Sequence, residues 1–205
     1  LSHCHKIISC SSDAVLYLWE LEDNLSSVGD IDENYINTLQ FNKGEKVVDI
    51  LEFNKDIFVS VSDRFVKFSN TSNMKEIHKI ENIKGNSSYN SLCKLNDDSL
   101  IVMYCHEIQI INIAKNFEII DNIELGLGML SSILKLNDGS ILISEDIITD
   151  NYFMFYIRQY YFDENELVYI SYKKEKYLKN QKDDNKQITN LVQFSTGIIA
   201  EAINS

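Results

Sequence analysis

The chain has 205 residues and a mass of 23.7 kDa, enough to bury a sizeable core within one domain. Hydrophobic residues at 44% and charged residues at 24% exclude a disordered or fibrous chain. Thirty-one acidic against 19 basic groups leave a net charge of −12, a field that repels nucleic-acid phosphates and anionic lipid. No apolar run approaches the roughly 18 residues of a membrane span, and Leu1-Ser2-His3-Cys4-His5 carries no signal-peptide pattern. Cys4, Cys10, Cys93 and Cys105 are too scattered for a disulfide framework, so reduced thiols in an intracellular, cytoplasmic setting are expected.

In chain order, a Ser-rich strand over Lys6–Cys10 and an apolar one over Val15–Leu21 come first, divided by Ser11-Ser12-Asp13. Ile50–Asn54 opens a longer pattern: a first strand, a polar turn, a second strand at Ile57–Val61, a third at Phe65–Ser69 and a weaker fourth around Glu76–Ile80. The same order recurs at Leu92–Asp97, Leu100–Tyr104, Glu107–Ile111 and Glu118–Ile123. It recurs again at Ile133–Gly139, Ile141–Ser144, Phe153–Tyr156 and Leu167–Tyr172. Leu191–Gly197 and Ile198–Ala200 begin a further round.

With Phe53, Leu95, Leu136 and Phe194 as equivalent positions, the intervals are 42, 41 and 58 residues. Four strands in about 42 residues is the arithmetic of a β-propeller blade, whose repeat is ~40–45 residues. Within the first pair of strands, Asp13 and Trp19 stand six apart behind the Ser-rich strand, with Glu20 following Trp19. This stretch resembles the second and third strands of a WD40 repeat, with Ser11, Asp13 and Trp19 as its signature. At the position of Trp19-Glu20 the later repeats read Ser69-Asn70 and Ile111-Asn112. The resemblance implies an all-β propeller of four-stranded antiparallel blades. The expected divisions are a partial blade over 1–41, blades over about 42–84, 85–126 and 127–187, and a partial blade over 188–205. Such a register describes an internal part of a larger propeller; a closed four-blade ring is the alternative.

Two stretches exceed the period. The turn after the second strand of the third complete blade is lengthened over Glu145–Tyr152, so that Leu136 to Tyr156 takes 20 residues in place of 16. Tyr172–Lys186 is a lysine-rich loop in an otherwise acidic chain. The resemblance puts both on one face, the one WD40 domains commonly offer to partners. Tyr172, Lys173, Lys174, Lys176, Tyr177, Lys179 and Lys182 are the candidate contacts for an acidic protein partner, combining charge with aromatic area. The aromatic run from Tyr152 to Phe162 has strand spacing and is expected to form core on one face.

The sequence offers little catalytic chemistry. His3, Cys4, His5 and Cys10 lack the spacing of a metal site, because His3 and His5 share a strand face that Cys4 does not. Gly126-Leu127-Gly128 is too short for a phosphate loop and reads as turn chemistry between blades. No nucleophile motif is present. The expectation is a non-catalytic scaffold of a multiprotein complex, without cofactor or metal, acting on other proteins rather than on nucleic acid, membrane or small-molecule substrate. The alternative is a propeller hydrolase with a carboxylate or cation site at its central channel.

Overall fold

A computed structural model describes residues 6–10, 15–20, 35–40, 45–81, 89–125, 128–148, 152–163, 166–178, 187–193 and 199–204. Among the described residues every regular element is a β-strand, paired antiparallel with its neighbours in sequence. The first sheet has three strands, β1 (Lys6–Cys10), β2 (Val15–Glu20) and β3 (Tyr35–Gln40). Three four-stranded sheets follow. One holds β4 (Val47–Glu52), β5 (Ile57–Ser62), β6 (Phe65–Asn70) and β7 (Glu76–Glu81), and the next β8 (Tyr89–Lys94), β9 (Ser99–Tyr104), β10 (Glu107–Asn112) and β11 (Glu118–Glu124). The last holds β12 (Met129–Lys135), β13 (Ile141–Ile148), β14 (Tyr152–Asp163) and β15 (Glu166–Leu178), and β16 (Gln187–Gln193) pairs with β17 (Ile199–Asn204). The chain divides into two compact units, Leu1–Ile83 and Lys84–Ser205.

The repeat seen in the sequence is a repeat of turns. At the β4–β5, β8–β9 and β12–β13 junctions the amide of Phe53, Leu95 or Leu136 donates to the carbonyl of Ile57, Ser99 or Ser140, at 3.0, 3.0 and 2.7 Å. A side-chain oxygen then holds each turn: Asn54 Oδ1 accepts from the Asp56 and Ile57 amides, Asn96 Oδ1 from those of Asp98 and Ser99, and Asp138 Oδ1 from that of Ser140. These short side chains mimic a backbone turn, which fixes the register of the strands on either side. The Asn that follows Ser69 or Ile111 has the same role at the far end of the blade. Asn70 Oδ1 caps the amides of Ser72 and Asn73, and Asn112 Oδ1 that of Lys115.

Burial falls from the middle strands to the outer ones, as the residue patterns require. β9, Ser-Leu-Ile-Val-Met-Tyr, is buried throughout, whereas β7, Glu-Ile-His-Lys-Ile-Glu, is exposed at four positions of six. A continuous apolar strand belongs between two covered faces, and an alternating one at the rim. In the first unit Leu16 and Leu18 of β2 pack with Phe58 of β5 and with Met74. In the second, Ile101, Met103, Ile108 and Ile110 pack against Ile133, Ile141, Ile143 and Tyr160 of the following sheet. There the first strands β8, β12 and β16 lie side by side, the arrangement of blades set around an axis.

Ser11 and Asp13 lie outside the described residues. The partner of Trp19 is Ser9, whose hydroxyl accepts from the indole Nε1–H at 2.7 Å. Ser9 faces Tyr17 and Trp19 faces Ile7, so the two side chains meet diagonally across one face. Ser9 is thus the hydroxyl that Trp19 meets among the described residues. Ser60 and Ser69 occupy the corresponding ladder positions of the next sheet, and their buried hydroxyls have no hydrogen-bond partner there. Trp19→Phe keeps the ring and removes the donor. It is expected to cost about 1 kcal/mol, read as a lower urea midpoint, and Ser9→Ala should add little further because both changes break one bond.

Candidate interaction site

The fourth sheet departs from its neighbours in strand length. Ile141 faces Tyr160, the pairing that Phe58 makes with Ser69 and Leu100 with Ile111. The equivalent of Ser69 and Ile111 is thus Tyr160, not Tyr156, and Leu136 to Tyr160 spans 24 positions. The added residues are strand. Glu145 to Ile148, expected in a lengthened turn, pair with Tyr156 to Phe153, and only residues 149–151 lie between β13 and β14. Likewise Tyr172, Lys173, Lys174, Lys176 and Tyr177, expected in a loop, belong to β15 and face Arg158, Ile157, Tyr156, Met154 and Phe153 of β14. Lys179 and Lys182 lie outside the described residues.

The physical reason lies in β14. Its Tyr-Phe-Met-Phe-Tyr-Ile run has high strand propensity and pairs with both β13 and β15. Backbone pairing on that template outweighs the loop preference of the lysine-rich stretch. Both excursions from the period end together, since Ile148 faces Phe153 and Tyr152 faces Leu178.

A buried polar cluster anchors the extension. Glu145 is fully buried. Its Oε2 accepts from Arg158 Nε at 2.9 Å and Nη2 at 2.7 Å, and its Oε1 accepts from the Gly128 amide at 2.9 Å. The carboxylate thus ties β14 to β13 and to the start of β12. The Gly128 carbonyl in turn accepts from His106 Nδ1–H at 2.8 Å, and the Leu130 amide donates to Cys105 O at 2.6 Å. The preceding blade's β9–β10 turn is thereby joined to the same point. Gly128 fits only because it lacks a side chain: a Cβ there would stand 2.6 Å from Glu145 Cγ and 2.7 Å from Asp146 O. Burial lowers the Arg158 guanidinium pKa, but the hydrogen bond and charge of Glu145 outweigh it and leave it raised.

Tyr160 is buried in the core beside this pair, and Phe162 packs behind it. Tyr161, between them, is exposed, which is the two-residue alternation expected of the aromatic run. Burial raises the Tyr160 phenol pKa, the nearby Arg158 opposing it in part. The native state therefore holds this proton more tightly than the unfolded chain. The associated stability is intact below the unfolded value near 10 and is lost as the pH rises through the folded one. An alkaline titration should show a tyrosinate absorbance step coincident with loss of the β-sheet circular dichroism. A step completed with the sheet signal unchanged would contradict the burial.

Beyond Tyr160 the outer hairpin exposes apolar side chains as well as Asp163. Tyr161, Val168, Tyr169 and Ile170 are each close to half exposed, and the Tyr169 ring meets that of Tyr160 edge-on at 5.7 Å. Among the described residues no group of three or more His, Cys, Asp or Glu could hold a metal ion. Cys10 is exposed, Cys93 buried and Cys105 half-buried, and His3, Cys4 and His5 lie outside the described residues. No helix among the described residues is long and apolar enough to cross a membrane. Sequence reasoning did not single out Arg158 or His106, and it read Gly128 as part of a turn between blades and Glu145 as the start of a lengthened turn. The available signal was a Glu-Asp pair within an isoleucine-rich strand of a chain with two arginines.

No family model matches the chain, and no curated protein matches its sequence. Solved structures do match. The WD40 β-propeller domain of Doa1 aligns with 96% of the chain at 17% identity and a TM-score of 0.63. The C-terminal WD40 domain of Sif2 aligns with 97% at 13% identity and a TM-score of 0.66. A protein of unknown function from Bacteroides caccae aligns with 68% at 11% identity and a TM-score of 0.53. The chain spans about half of each, covering 56%, 52% and 47% of their lengths. Antiparallel four-stranded sheets in series, a recurring turn and alignment of nearly the whole chain with two propeller domains together establish that this is a chain of the WD40-type β-propeller fold.

Proposed function

We propose that the chain is a non-catalytic docking segment of a larger WD40-type propeller, and that its third complete blade carries the partner site. The observation behind this reading is the elongated outer hairpin, 12 and 13 residues where the outer strands of the preceding sheets have 6 or 7. Strand length beyond what the blade core uses contributes surface rather than core. Its outward apolar residues and its three lysines, Lys173, Lys174 and Lys176, supply the mixture of aromatic area and charge that protein interfaces favour. The polar groups of the site support the same reading. Both oxygens of Glu145 are engaged in holding strands together, which is positioning rather than acid–base chemistry.

In this reading the four-stranded sheets of each unit are propeller blades. Purification of the full native polypeptide at mild salt should return a stoichiometric protein complex. Elution as a lone monomer would overturn the proposal, as would release of a small-molecule product by that monomer.

A further inference from the structure

Among the described residues no strand pairs with the edge of β15 away from β14, and its composition sets what can pair there. In the strand order β12-β13-β14-β15, β15 is outermost. A strand of 13 residues presents a row of free N–H and C=O groups about twice as long as that of β7 or β11. The outer strands of the preceding blades are guarded by charge: Glu76, Lys79 and Glu81 are exposed on β7, Glu118 and Glu124 on β11. The first half of β15 has a single charged residue, Glu166 at its start. Val168, Tyr169 and Ile170 are exposed in succession, so apolar side chains stand on both faces of an open edge. The second half is cationic by residue type, with Lys173, Lys174 and Lys176 against a single Glu175.

We propose that β15 is a β-augmentation site that takes an acidic, extended segment of a protein partner as a fifth strand of this sheet. The inference rests on the docking reading above and names its ligand class. Backbone pairing would supply affinity, and the two halves of the strand would supply specificity, apolar side chains at one end and carboxylates opposite the lysines at the other. The same lysines disfavour a second copy of this chain. Antiparallel pairing of two β15 strands brings the lysine-rich halves toward apolar ones or toward each other, with no carboxylate row to answer them. The net charge of −12 makes the cationic edge a local exception in an acidic surface field, which orients an acidic strand to this edge rather than elsewhere.

The test uses the whole chain and a 12-residue peptide alternating Glu with Val and Thr, set against the same peptide with Lys for Glu and against one with alternate Val replaced by Pro. Fluorescence anisotropy should show the acidic peptide binding, and the Lys and Pro versions failing to bind. Hydrogen exchange should show protection confined to β15 amides. Lys173→Glu, Lys174→Glu and Lys176→Glu together should weaken the acidic peptide about tenfold or more, since each cross-strand attraction becomes a repulsion. The fold is monitored by the unchanged exchange of β9 and β13. No binding of the acidic peptide, equal binding of the Pro version, or protection outside β15 would overturn the proposal. If a native partner still co-purifies with the triple variant and leaves β15 amides unprotected, the edge site falls while the docking reading stands. If no partner co-purifies but the peptide behaves as stated, the reverse holds.

Discussion

Glu145→Ala is expected to destabilise the second unit by about 3 kcal/mol, more than any surface substitution would. Glu145 is 1% exposed and Arg158 28% exposed in their side chains. Removing the carboxylate leaves the Gly128 amide without its acceptor and two guanidinium donors facing the hole. The partial exposure of Arg158 lets water recover some of the loss, which places the cost at the lower end of the range for a broken buried pair. Urea denaturation followed by circular dichroism reads the effect, and hydrogen exchange localises it to β13 and β14. Glu145→Gln should cost less, because an amide oxygen still accepts from Gly128. The joint change Glu145→Met and Arg158→Met should recover much of the stability, since well-packed apolar replacements remove both desolvation terms. A Glu145→Ala loss within about 0.5 kcal/mol, the surface-substitution range, would show that the pair does not anchor the extension.

Gly128→Ala is the second large effect, again about 3 kcal/mol. A methyl group there would meet Glu145 Cγ at 2.6 Å, Asp146 O at 2.7 Å and Ile147 Cγ1 at 2.7 Å. One of these contacts is a backbone oxygen within the β12–β13 ladder, which cannot rotate away as a side chain can. Relief requires the start of β12 to lift from β13, which breaks the bond to Glu145 and the bond from His106 together. The double variant Gly128→Ala, Glu145→Ala should therefore lose clearly less than the two single losses combined. Full additivity of the two losses would mean that they act through separate contacts.

Much of the propeller was legible because each blade repeats a local device. Phe53, Leu95 and Leu136 mark the same turn, held by Asn54, Asn96 and Asp138, and a turn built from adjacent residues leaves a readable spacing. The alternation of β7 and the continuous apolar run of β9 likewise announce the rim and the middle of a sheet. What was not legible depended on partners distant in sequence. Tyr35–Gln40 forms β3 through pairing with β2, although its own six residues carry a weak pattern. Tyr172–Leu178 forms strand because β14 lies beside it, against a lysine-rich composition that reads as loop. Ser9 meets Trp19 only through the register of β1 against β2. The Glu145 cluster needed the stretches around 128 and 158 to be brought to one carboxylate, and that around 106 to the Gly128 carbonyl.

In the proposed reading the elongated blade is also where fold and function are most closely joined. Of the groups that make the extension possible, Gly128 and Glu145 are buried and Arg158 is half-buried, and exposed apolar residues of the extension lie on β14 and β15. Hydrogen exchange on the purified native assembly, compared with the isolated chain, tests this most directly. Slowed exchange on assembly, concentrated in the amides of β14 and β15, is the predicted result. Protection located in β4 to β11, with β14 and β15 exchanging as they do in the isolated chain, would contradict it.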